Sequence, residues 1–310
     1  MVLVSPVRRG VKSDAPAIAQ RVAEELARDA SIEPLVSDEF SREEFEFALA
    51  HSSNPMWVED SHGLIRGHLS GTTFDDSLYG RQTWTGPDGY SYEVPDVLDN
   101  LCERAHHTWS ELGSNAHLVW AFAGTGTQDW IERDYRVVSV RGAKVLDGAV
   151  DFTWPTEHRV RRGTLDDLAT ALAFDNLIDL AQGVDPETLT HEQLTANRAD
   201  LVNLLDDPEC HYYLVDVEGQ PAAQCVTFPL PELRGNFKNT LHIGSLAVSP
   251  DCRRQGLATM LMHEVVNAAI RQGHGYAEVR WHIDNEPATS LWSSLGFRPT
   301  YAQLRHTLIT

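Results

Sequence analysis

The hydrophobic pattern in the last third of the chain predicts a buried strand followed by a long helix. The strand's apolar positions are Leu241, Ile243, Leu246 and Val248, in a short run bounded by polar and Gly-containing segments. Beyond Pro250, apolar residues recur at helical spacing over 257–270, until Gly273 ends the pattern. The strand and the helix are therefore joined by a loop that contains two arginines and ends at Gly256.

This loop has the properties of an anion-binding site. The first backbone N–H groups of a helix have no acceptor within the helix, and they point outward at the positive end of its dipole. Gly256 and the small residue Ala258 let a ligand approach the backbone closely. Arg253 and Arg254 add positive charge beside the helix start. The combination indicates a site for a pyrophosphate group.

Two motifs in this region resemble those of the GNAT superfamily of N-acyltransferases. The pattern V-x-P-x-x-R-x-x-G-x-A, at Val248, Pro250, Arg253, Gly256 and Ala258, resembles that family's acyl-CoA pyrophosphate loop. The pattern N-x-x-A-x-x-L-W-x-x-L-G-F, from Asn285 to Phe297, resembles its downstream signature. A strand predicted over 277–283 separates them at the family's spacing. The alternative interpretation is an ordinary strand-to-helix turn with surface arginines.

The resemblance implies acetyl-CoA as co-substrate. In the family, the strand before the pyrophosphate helix and the strand after it splay apart, and backbone groups of the first strand hold the pantetheine arm and polarise the thioester carbonyl. The residues expected to contact the co-substrate are Leu246, Ala247, Val248, Arg253, Arg254, Gln255, Gly256, Leu257, Ala258, Thr259, Asn285 and Trp292.

The implied reaction is direct attack of an amine on the thioester carbonyl, which requires a base for the amine proton. Candidate bases on the two bordering strands are His242, Glu278 and His282, and spacing does not distinguish them. Because side chains alternate along a strand, Glu278 and His282 are expected on one face of the second strand. By the same rule, His242 is expected on the same face of the first strand as Leu246. A solvated surface position is the alternative for Glu278, and a core position is the alternative for His242.

Trp292 stands where the family commonly has a tyrosine that gives a proton to the departing sulfur. Because an indole N–H does not titrate usefully, Trp292 cannot replace that acid. Ser293, Tyr301 or water remain candidates, and a thiolate whose parent thiol has a pKa of about 8.5 is a tolerable leaving group. Packing in the core is the alternative role for Trp292.

An internal repeat indicates that the chain contains two related domains. The segment V-R-R-G occurs at 7–10 and at 160–163, followed in each case by an aspartate, Asp14 or Asp167. A second set of residues has the same spacing in both halves: Trp130, Tyr135 and Arg136 in the first, and Trp292, Phe297 and Arg298 in the second. The two sets occur in the same order in each half, which favours a duplication. We expect an α/β (α+β) protein of two tandem GNAT-like domains, 1–149 and 150–310, each a mixed, mostly antiparallel sheet flanked by helices.

The first half lacks the pyrophosphate motif R-x-x-G-x-(G/A). Its corresponding helix, expected to begin near Val97, carries Glu93, Asp96 and Asp99 at its start, and these carboxylates would repel a pyrophosphate. Domain 1–149 is therefore expected to have no CoA loop and to support the second domain.

Composition narrows the function classes. The formal net charge of −20 disfavours nucleic acid and anionic membranes as partners, since both require an excess of Lys and Arg, and it weakly favours a cationic substrate. The four cysteines are widely spaced, so neither a metal site nor a disulfide framework is predicted. The chain has no apolar run of about 18 residues, and a cytoplasmic protein is expected.

The sequence thus favours an N-acetyltransferase that acts on an amine of a small molecule or peptide. The alternative is a non-catalytic acyl-CoA-binding or scaffold protein, which the tryptophan at position 292 and the altered first half would also fit.

Overall fold

The computed structural model describes residues 7–76, 78–229 and 235–308. The strands are β1 (Val7–Arg9), β2 (Met56–Ser61), β3 (Leu64–Ser70), β4 (Thr72–Asp76), β5 (Gly80–Thr85), β6 (Tyr90–Tyr92), β7 (Ala116–Phe122), β8 (Arg136–Val145), β9 (His158–Arg162), β10 (His211–Val217), β11 (Gln220–Pro229), β12 (Thr240–Val248), β13 (Tyr276–His282) and β14 (Arg298–Thr307). The helices are α1 (Ala15–Ile32), α2 (Arg42–His51), α3 (Pro95–Glu111), α4 (Gln128–Ile131), α5 (Leu168–Ala181), α6 (His191–Asp206), α7 (Leu257–Arg271) and α8 (Glu286–Ser294).

The described residues form two compact units. Unit 1 takes its residues from Met1–Val140, Arg234–Phe237 and Pro299–Thr310, and unit 2 from Arg141–Leu233 and Lys238–Arg298. The division at residues 140 and 141 falls inside β8, earlier than the expected boundary at 149. The C-terminal strand, expected in the second domain, belongs to unit 1, because β14 forms an antiparallel ladder with β7.

Unit 1 contains two sheets. β1, β2, β3 and β6 form an antiparallel sheet in that order, and β4, β5, β7 and β14 follow one another in a second sheet, in which only the β5–β7 pair is parallel. Helix α1 packs on the first sheet through a buried apolar face that includes Ile18, Val22 and Leu26. Helix α3 contributes Leu98, Leu101 and Trp109 to a separate core cluster.

Unit 2 places β9, β10, β11, β12 and β13 side by side, and only the β12–β13 pair is parallel. Phe174 of α5 packs with Tyr212, Leu214 and Val226 on one face of this sheet. The expected fold class, mixed sheets of mostly antiparallel strands with flanking helices, is confirmed. In the described part of the chain, every helix is too short or too polar to cross a membrane.

The repeated V-R-R-G segment forms a partly buried ion-pair corner. In unit 1, Arg8 donates two hydrogen bonds to the Asp14 carboxylate, both at 2.8 Å, and two to Asp60, at 2.9 and 3.0 Å. Asp14 also accepts the Val11 N–H at 2.8 Å. The aspartate thereby ties strand β1 to the turn that begins α1.

Unit 2 repeats this corner at the equivalent positions. Arg161 donates to Asp167 at 2.8 and 2.9 Å and to Asp216 at 2.7 Å, and Asp167 accepts the Thr164 N–H at 2.9 Å. The next arginine of each segment lies over an aromatic ring: Arg9 is 5.3 Å from the Trp57 ring and Arg162 is 4.9 Å from the Tyr213 ring. The repeat read from the sequence is therefore also a repeat of contacts.

We expect Asp14→Asn and Asp167→Asn each to lower the free energy of unfolding by about 1.5–3 kcal/mol at pH 7, because each removes a charged acceptor from a hydrogen-bonded arginine. The arginine holds the pKa of each carboxyl below its ordinary value. The stabilisation is therefore complete above the unfolded-state pKa of about 3.9 and is lost as the pH falls through the lower folded-state value.

Urea unfolding at pH 7 and in acid measures the effect. Asp166→Asn, at an exposed position in the same turn, is the matched control and should change stability by less than about 0.5 kcal/mol. Equal losses in all three variants would contradict the ion-pair corner.

Candidate functional site

The loop between β12 and α7 has a backbone that suits close approach by a ligand. Gly256 is the N-cap of α7 and has a left-handed backbone with φ of 79°, and Arg254 is also left-handed with φ of 62°. A Cβ placed on Gly256 would meet no atom within 4 Å, so the space beside its backbone is open. Arg253 Nε donates to the Val248 carbonyl at 3.3 Å and braces the loop against the end of the strand.

The start of α7 presents free backbone amides beside that open space. The N–H of Met260 bonds to the Gly256 carbonyl at 3.0 Å and is the first α-helical bond of this helix. The amides of Leu257, Ala258 and Thr259 precede it, so geometry gives them no acceptor within the helix. These amides and the helix dipole favour an anion at this position.

Strands β12 and β13 pair for only part of their length. Their parallel register runs from Thr240–Tyr276 to Ile243–Val279, whereas β12 continues to Val248 and β13 to His282. Over 245–248, β12 keeps its pairing with β11 on its other side. Among the residues that the structure describes, the edge of β12 that faces β13 therefore has no strand partner beyond Ile243, which leaves its backbone groups available to a ligand.

A β-bulge at this point changes which side chains share a face. Ser245 pairs with Val226 and Ile243 pairs with Thr227, so Gly244 is the extra residue. His242, opposite Phe228, consequently lies on the same face as Ser245, since paired residues point the same way. The parity expected from simple alternation, His242 with Leu246, is wrong because of this bulge.

His242 and Glu278 are neighbours where the two strands begin to part. They are direct partners in the β12–β13 register, and His242 Nδ1 lies 3.4 Å from Glu278 Oε1. The other carboxylate oxygen, Oε2, lies 3.5 Å from Nε of Arg141 on β8. Glu278 is only 3% exposed, so the solvated surface position considered for it is wrong. An arginine and a histidine flank this buried carboxylate.

His282 lies at the far end of β13 and is half-buried. Burial lowers the pKa of His282, and the nearby charge of Arg280 lowers it further, whereas Asp284 opposes the shift. The structure does not give His282 a contact with His242 or Glu278. The three candidate bases therefore divide into one contacting pair and one separate histidine.

Asn285 is the N-cap of α8. Its side-chain Oδ1 accepts the Ala288 N–H at 3.1 Å, so this oxygen is committed to the helix. Its amide group remains the part of the side chain able to meet a ligand.

The aromatic side chains proposed near the leaving group are core residues. Trp292 is 4% exposed, and its ring packs edge-on against Phe297 at 5.3 Å, which favours the packing interpretation over contact with a co-substrate. Tyr301 is 1% exposed and packs with Phe122 in the core of unit 1. Ser293 is exposed on α8.

Unit 1 lacks the space for an equivalent loop. Only Glu93 and Val94 lie between β6 and α3, whereas residues 249–256 lie between β12 and α7. Pro95 at the start of α3 also removes one backbone N–H from the helix terminus. Among the residues that the structure describes, no group of three or more His, Cys, Asp or Glu side chains is arranged to hold a metal ion.

Arg141 is the site residue that the sequence did not indicate. It precedes Glu278 by more than a hundred residues and has no motif around it, and only sheet formation brings the two together. The sequence of β8, R-V-V-S-V-R-G-A-K-V, does not distinguish Arg141 from the other charged residues of that strand.

Comparison with known proteins agrees with this geometry. Residues 174–297 match the family model described as "Acetyltransferase (GNAT) family". No protein with a curated functional description matches the chain.

Three solved structures have a similar fold. A GCN5-related N-acetyltransferase from Sphaerobacter thermophilus is 19% identical, with a TM-score of 0.65 over 98% of this chain and 96% of that one. A tandem GNAT protein from the clavulanic acid biosynthesis pathway is 11% identical, with a TM-score of 0.58 over 98% of both chains. A functionally unknown conserved protein from Staphylococcus epidermidis is 10% identical, with a TM-score of 0.52 over 77% and 95%. At these identities the likeness shows the fold alone.

We expect Arg141→Met to lower the free energy of unfolding by about 3 kcal/mol, because it leaves the buried Glu278 carboxylate without its cation. Adding Glu278→Gln should restore part of this loss, since the double variant has no unpaired buried charge. Urea unfolding of both single variants and the double variant measures the coupling.

Arg271→Met is the matched control. Arg271 forms an exposed ion pair with Glu264 at 3.4 Å, and such pairs contribute about 0–1 kcal/mol. A double variant less stable than Arg141→Met would contradict the ion pair inferred between Arg141 and Glu278.

Proposed function

Because this chain is a GNAT-superfamily protein in the tandem two-domain form, we propose that unit 2 transfers an acetyl group from acetyl-CoA to an amine of a small molecule or peptide. The fold supports acyl transfer in general. The donor, the acceptor and the residues assigned below are our proposal.

One observation carries the proposal: the unpaired edge of β12 leads directly into a loop whose amides surround open space. The free edge follows Ile243, and the loop ends at the left-handed Gly256. An extended thioester arm that ends in a pyrophosphate matches these two features in order, with backbone groups along its length and a helix N-terminus at its end.

The residues present fit acetyl-CoA, which would supply an acetyl group already activated as a thioester. The amides of 257–259 and the side chain of Arg254 would hold the pyrophosphate. The backbone of Leu246, Ala247 and Val248 would bind the arm and donate to the carbonyl oxygen, where negative charge develops. Arg253 and Gln255 act mainly by fixing the loop, since both side chains donate to backbone carbonyls.

His242 is the best placed of the three candidate bases. With Nδ1 lying 3.4 Å from the Glu278 carboxylate, the proposed role places the imidazole proton on Nδ1 and leaves Nε2 to take the proton of the attacking amine. The side chain of His242 is more exposed than that of Glu278, so it is the group that an acceptor can reach. Glu278 and Arg141 act as positioning residues, and the departing thiolate takes its proton from water.

We expect isothermal titration calorimetry of the full chain to give one acetyl-CoA site, and Gly256→Glu to abolish binding through bulk and negative charge in the loop. Gly273→Glu is the matched control, since Gly273 has a similar φ of 87° and equally open surroundings, at the opposite end of the same helix. It introduces the same backbone strain and should bind like the wild type.

The other outcomes of this titration are informative. Two sites would show that unit 1 also binds acetyl-CoA. Binding without acceptor-dependent release of CoA, across a panel of small amines and peptides, would favour the non-catalytic acyl-CoA-binding or scaffold protein. Absence of binding would refute the proposed function.

We expect His242→Gln to lower kcat about 10²–10⁴-fold with any amine that the wild type acetylates, because it removes the base. Affinity for acetyl-CoA should remain within about threefold, since the loop is untouched. Glu278→Gln should lower kcat less, and His282→Gln is the control histidine variant. A large loss of kcat in His282→Gln alone would transfer the role of base to that residue.

A further inference from the structure

Helix α5 of unit 2 carries two half-buried aspartates, Asp175 and Asp179, that lack a partner in the protein. Among the residues that the structure describes, neither carboxylate accepts a hydrogen bond or forms an ion pair. Burial, and then the charge of Asp179, raise the pKa of Asp175 to about 6, and burial also raises the pKa of Asp179. Removing a carboxylate from water without a partner is costly, so the fold by itself gives no reason for this pair.

The internal repeat shows that the fold does not require charge at these positions. Helices α1 and α5 begin directly after the aspartate of each V-R-R-G corner, so their positions correspond one by one. Counted from those aspartates, Asp175 is the counterpart of Val22 and Asp179 is the counterpart of Leu26. Val22 and Leu26 are buried core residues of unit 1, where they pack with Phe45. Unit 2 therefore has carboxylates where the same frame in unit 1 has apolar side chains.

A buried tyrosine beside Asp175 also lacks a partner. Tyr212 of β10 is 3% exposed and packs under α5 with Phe174. Its hydroxyl forms no hydrogen bond within the described part of the chain, although buried polar atoms almost always have one. Burial, then the charges of Asp167 and Asp175, raise the pKa of Tyr212, so its hydroxyl and the Asp175 carboxylate are close neighbours. An unpaired hydroxyl and unpaired carboxylates thus lie together under α5.

These groups lie on the face of the sheet that carries His242. Tyr212 is paired with Val226, which is in turn paired with Ser245. Paired residues point the same way, and His242 shares the face of Ser245. The Phe228 ring lies 4.9 Å from the His242 ring and packs against the apolar cluster under α5. Helix α5 itself contacts both β11 and β12. The unpaired carboxylates and the proposed base are therefore on one side of one sheet.

The spacing of the two aspartates suits a single ammonium group. Side chains four residues apart on a helix are neighbours, with about 6 Å between their Cβ atoms. A primary ammonium has three N–H donors, so it can donate to both carboxylates and to the Tyr212 oxygen. The side chains around the pair, Phe174, Leu177 and Phe228, are apolar and suit a hydrocarbon chain. The net charge of −20 adds a general attraction for a cation.

We propose that the acceptor of unit 2 is a small diamine, and that Asp175 and Asp179 hold its second ammonium. This assignment rests on the proposed function, since it names the acceptor of that reaction. The first amine, in its neutral form, attacks the thioester carbonyl. The C–N bond forms, the C–S bond breaks, the amine proton passes to His242 and CoA leaves as a thiolate. The second ammonium keeps its proton throughout and holds the chain in place.

The first test measures binding alone, on the full chain without acetyl-CoA, so it does not depend on the proposed activity. The probes are the straight-chain α,ω-diamines from 1,3-diaminopropane to 1,8-diaminooctane, titrated by calorimetry at about pH 8, above the raised pKa of Asp175. We expect saturable binding of at least one diamine, with a Kd of about 1 mM or below. Asp175→Asn and Asp179→Asn should each weaken it about tenfold or more. Asp200→Asn, at an exposed position on α6, is the matched control and should bind like the wild type.

Asp175→Val separates a binding role from a structural one. The substitution installs the residue that unit 1 has at the equivalent position, and it removes an unpaired half-buried carboxylate. The midpoint of urea unfolding should therefore equal or exceed that of the wild type, while diamine binding falls as in Asp175→Asn. A lower midpoint would make Asp175 a structural residue and would count against the proposal.

The second test is the acetylation assay. Diamines should have a kcat/KM at least about tenfold above that of 1-aminoalkanes of the same length, because a monoamine whose ammonium pairs with the aspartates has no second amine to present to His242. Asp179→Asn should raise KM for the diamine and keep kcat within about threefold, since a remote ion pair holds the ground state and the transition state equally.

The failures of this proposal and of the proposed function can be told apart. Absence of diamine binding to the wild type, unchanged binding in both asparagine variants, or equal acetylation of monoamines and diamines would overturn the diamine assignment alone. Diamine binding with the expected losses in the variants, but without acetylation of any amine, would refute the acceptor role together with the proposed function.

Discussion

The candidate site depends on the point where β12 and β13 stop pairing. Parallel strands normally satisfy each other's backbone groups, and a strand that continues without its neighbour must find other partners. After Ile243, β12 keeps β11 on one side only. The bulge at Gly244, the pair of His242 and Glu278 and the strand end that enters the loop all lie at or close to this point.

The two units share a set of contacts but differ in the connection that leads into α3 in unit 1 and α7 in unit 2. The Arg–Asp corner, the arginine over an aromatic ring and the turn between the next two strands occur in both units, with Gly63 and Gly219 both at positive φ. These contacts tie the first strand of each unit to its neighbouring strand and to the turn that begins the next helix. The connection between β6 and α3 in unit 1 is not part of these contacts, and it consists of Glu93 and Val94 alone.

The buried Arg141–Glu278–His242 arrangement is costly to build, because each charge loses its water. The arrangement lies beside the free edge of β12, where the proposed function needs an oriented base. A carboxylate held between an arginine and a histidine can orient the imidazole, and the base that we propose for the amine requires such an orientation.

The sequence alone determined the parts of this protein that rest on local geometry. The strand, loop and helix around Gly256 and the repeat of the V-R-R-G segment were predictable, because a φ near 80°, a helix N-terminus and residue periodicity are properties of short segments. Tertiary structure decided the rest. The bulge at Gly244 moved His242 to the face of Ser245, β14 joined unit 1 through its ladder with β7, and Arg141 met Glu278 across the sheet. Each of these depends on which strands pair and in what register, and that information is distributed over distant residues rather than written in any one segment.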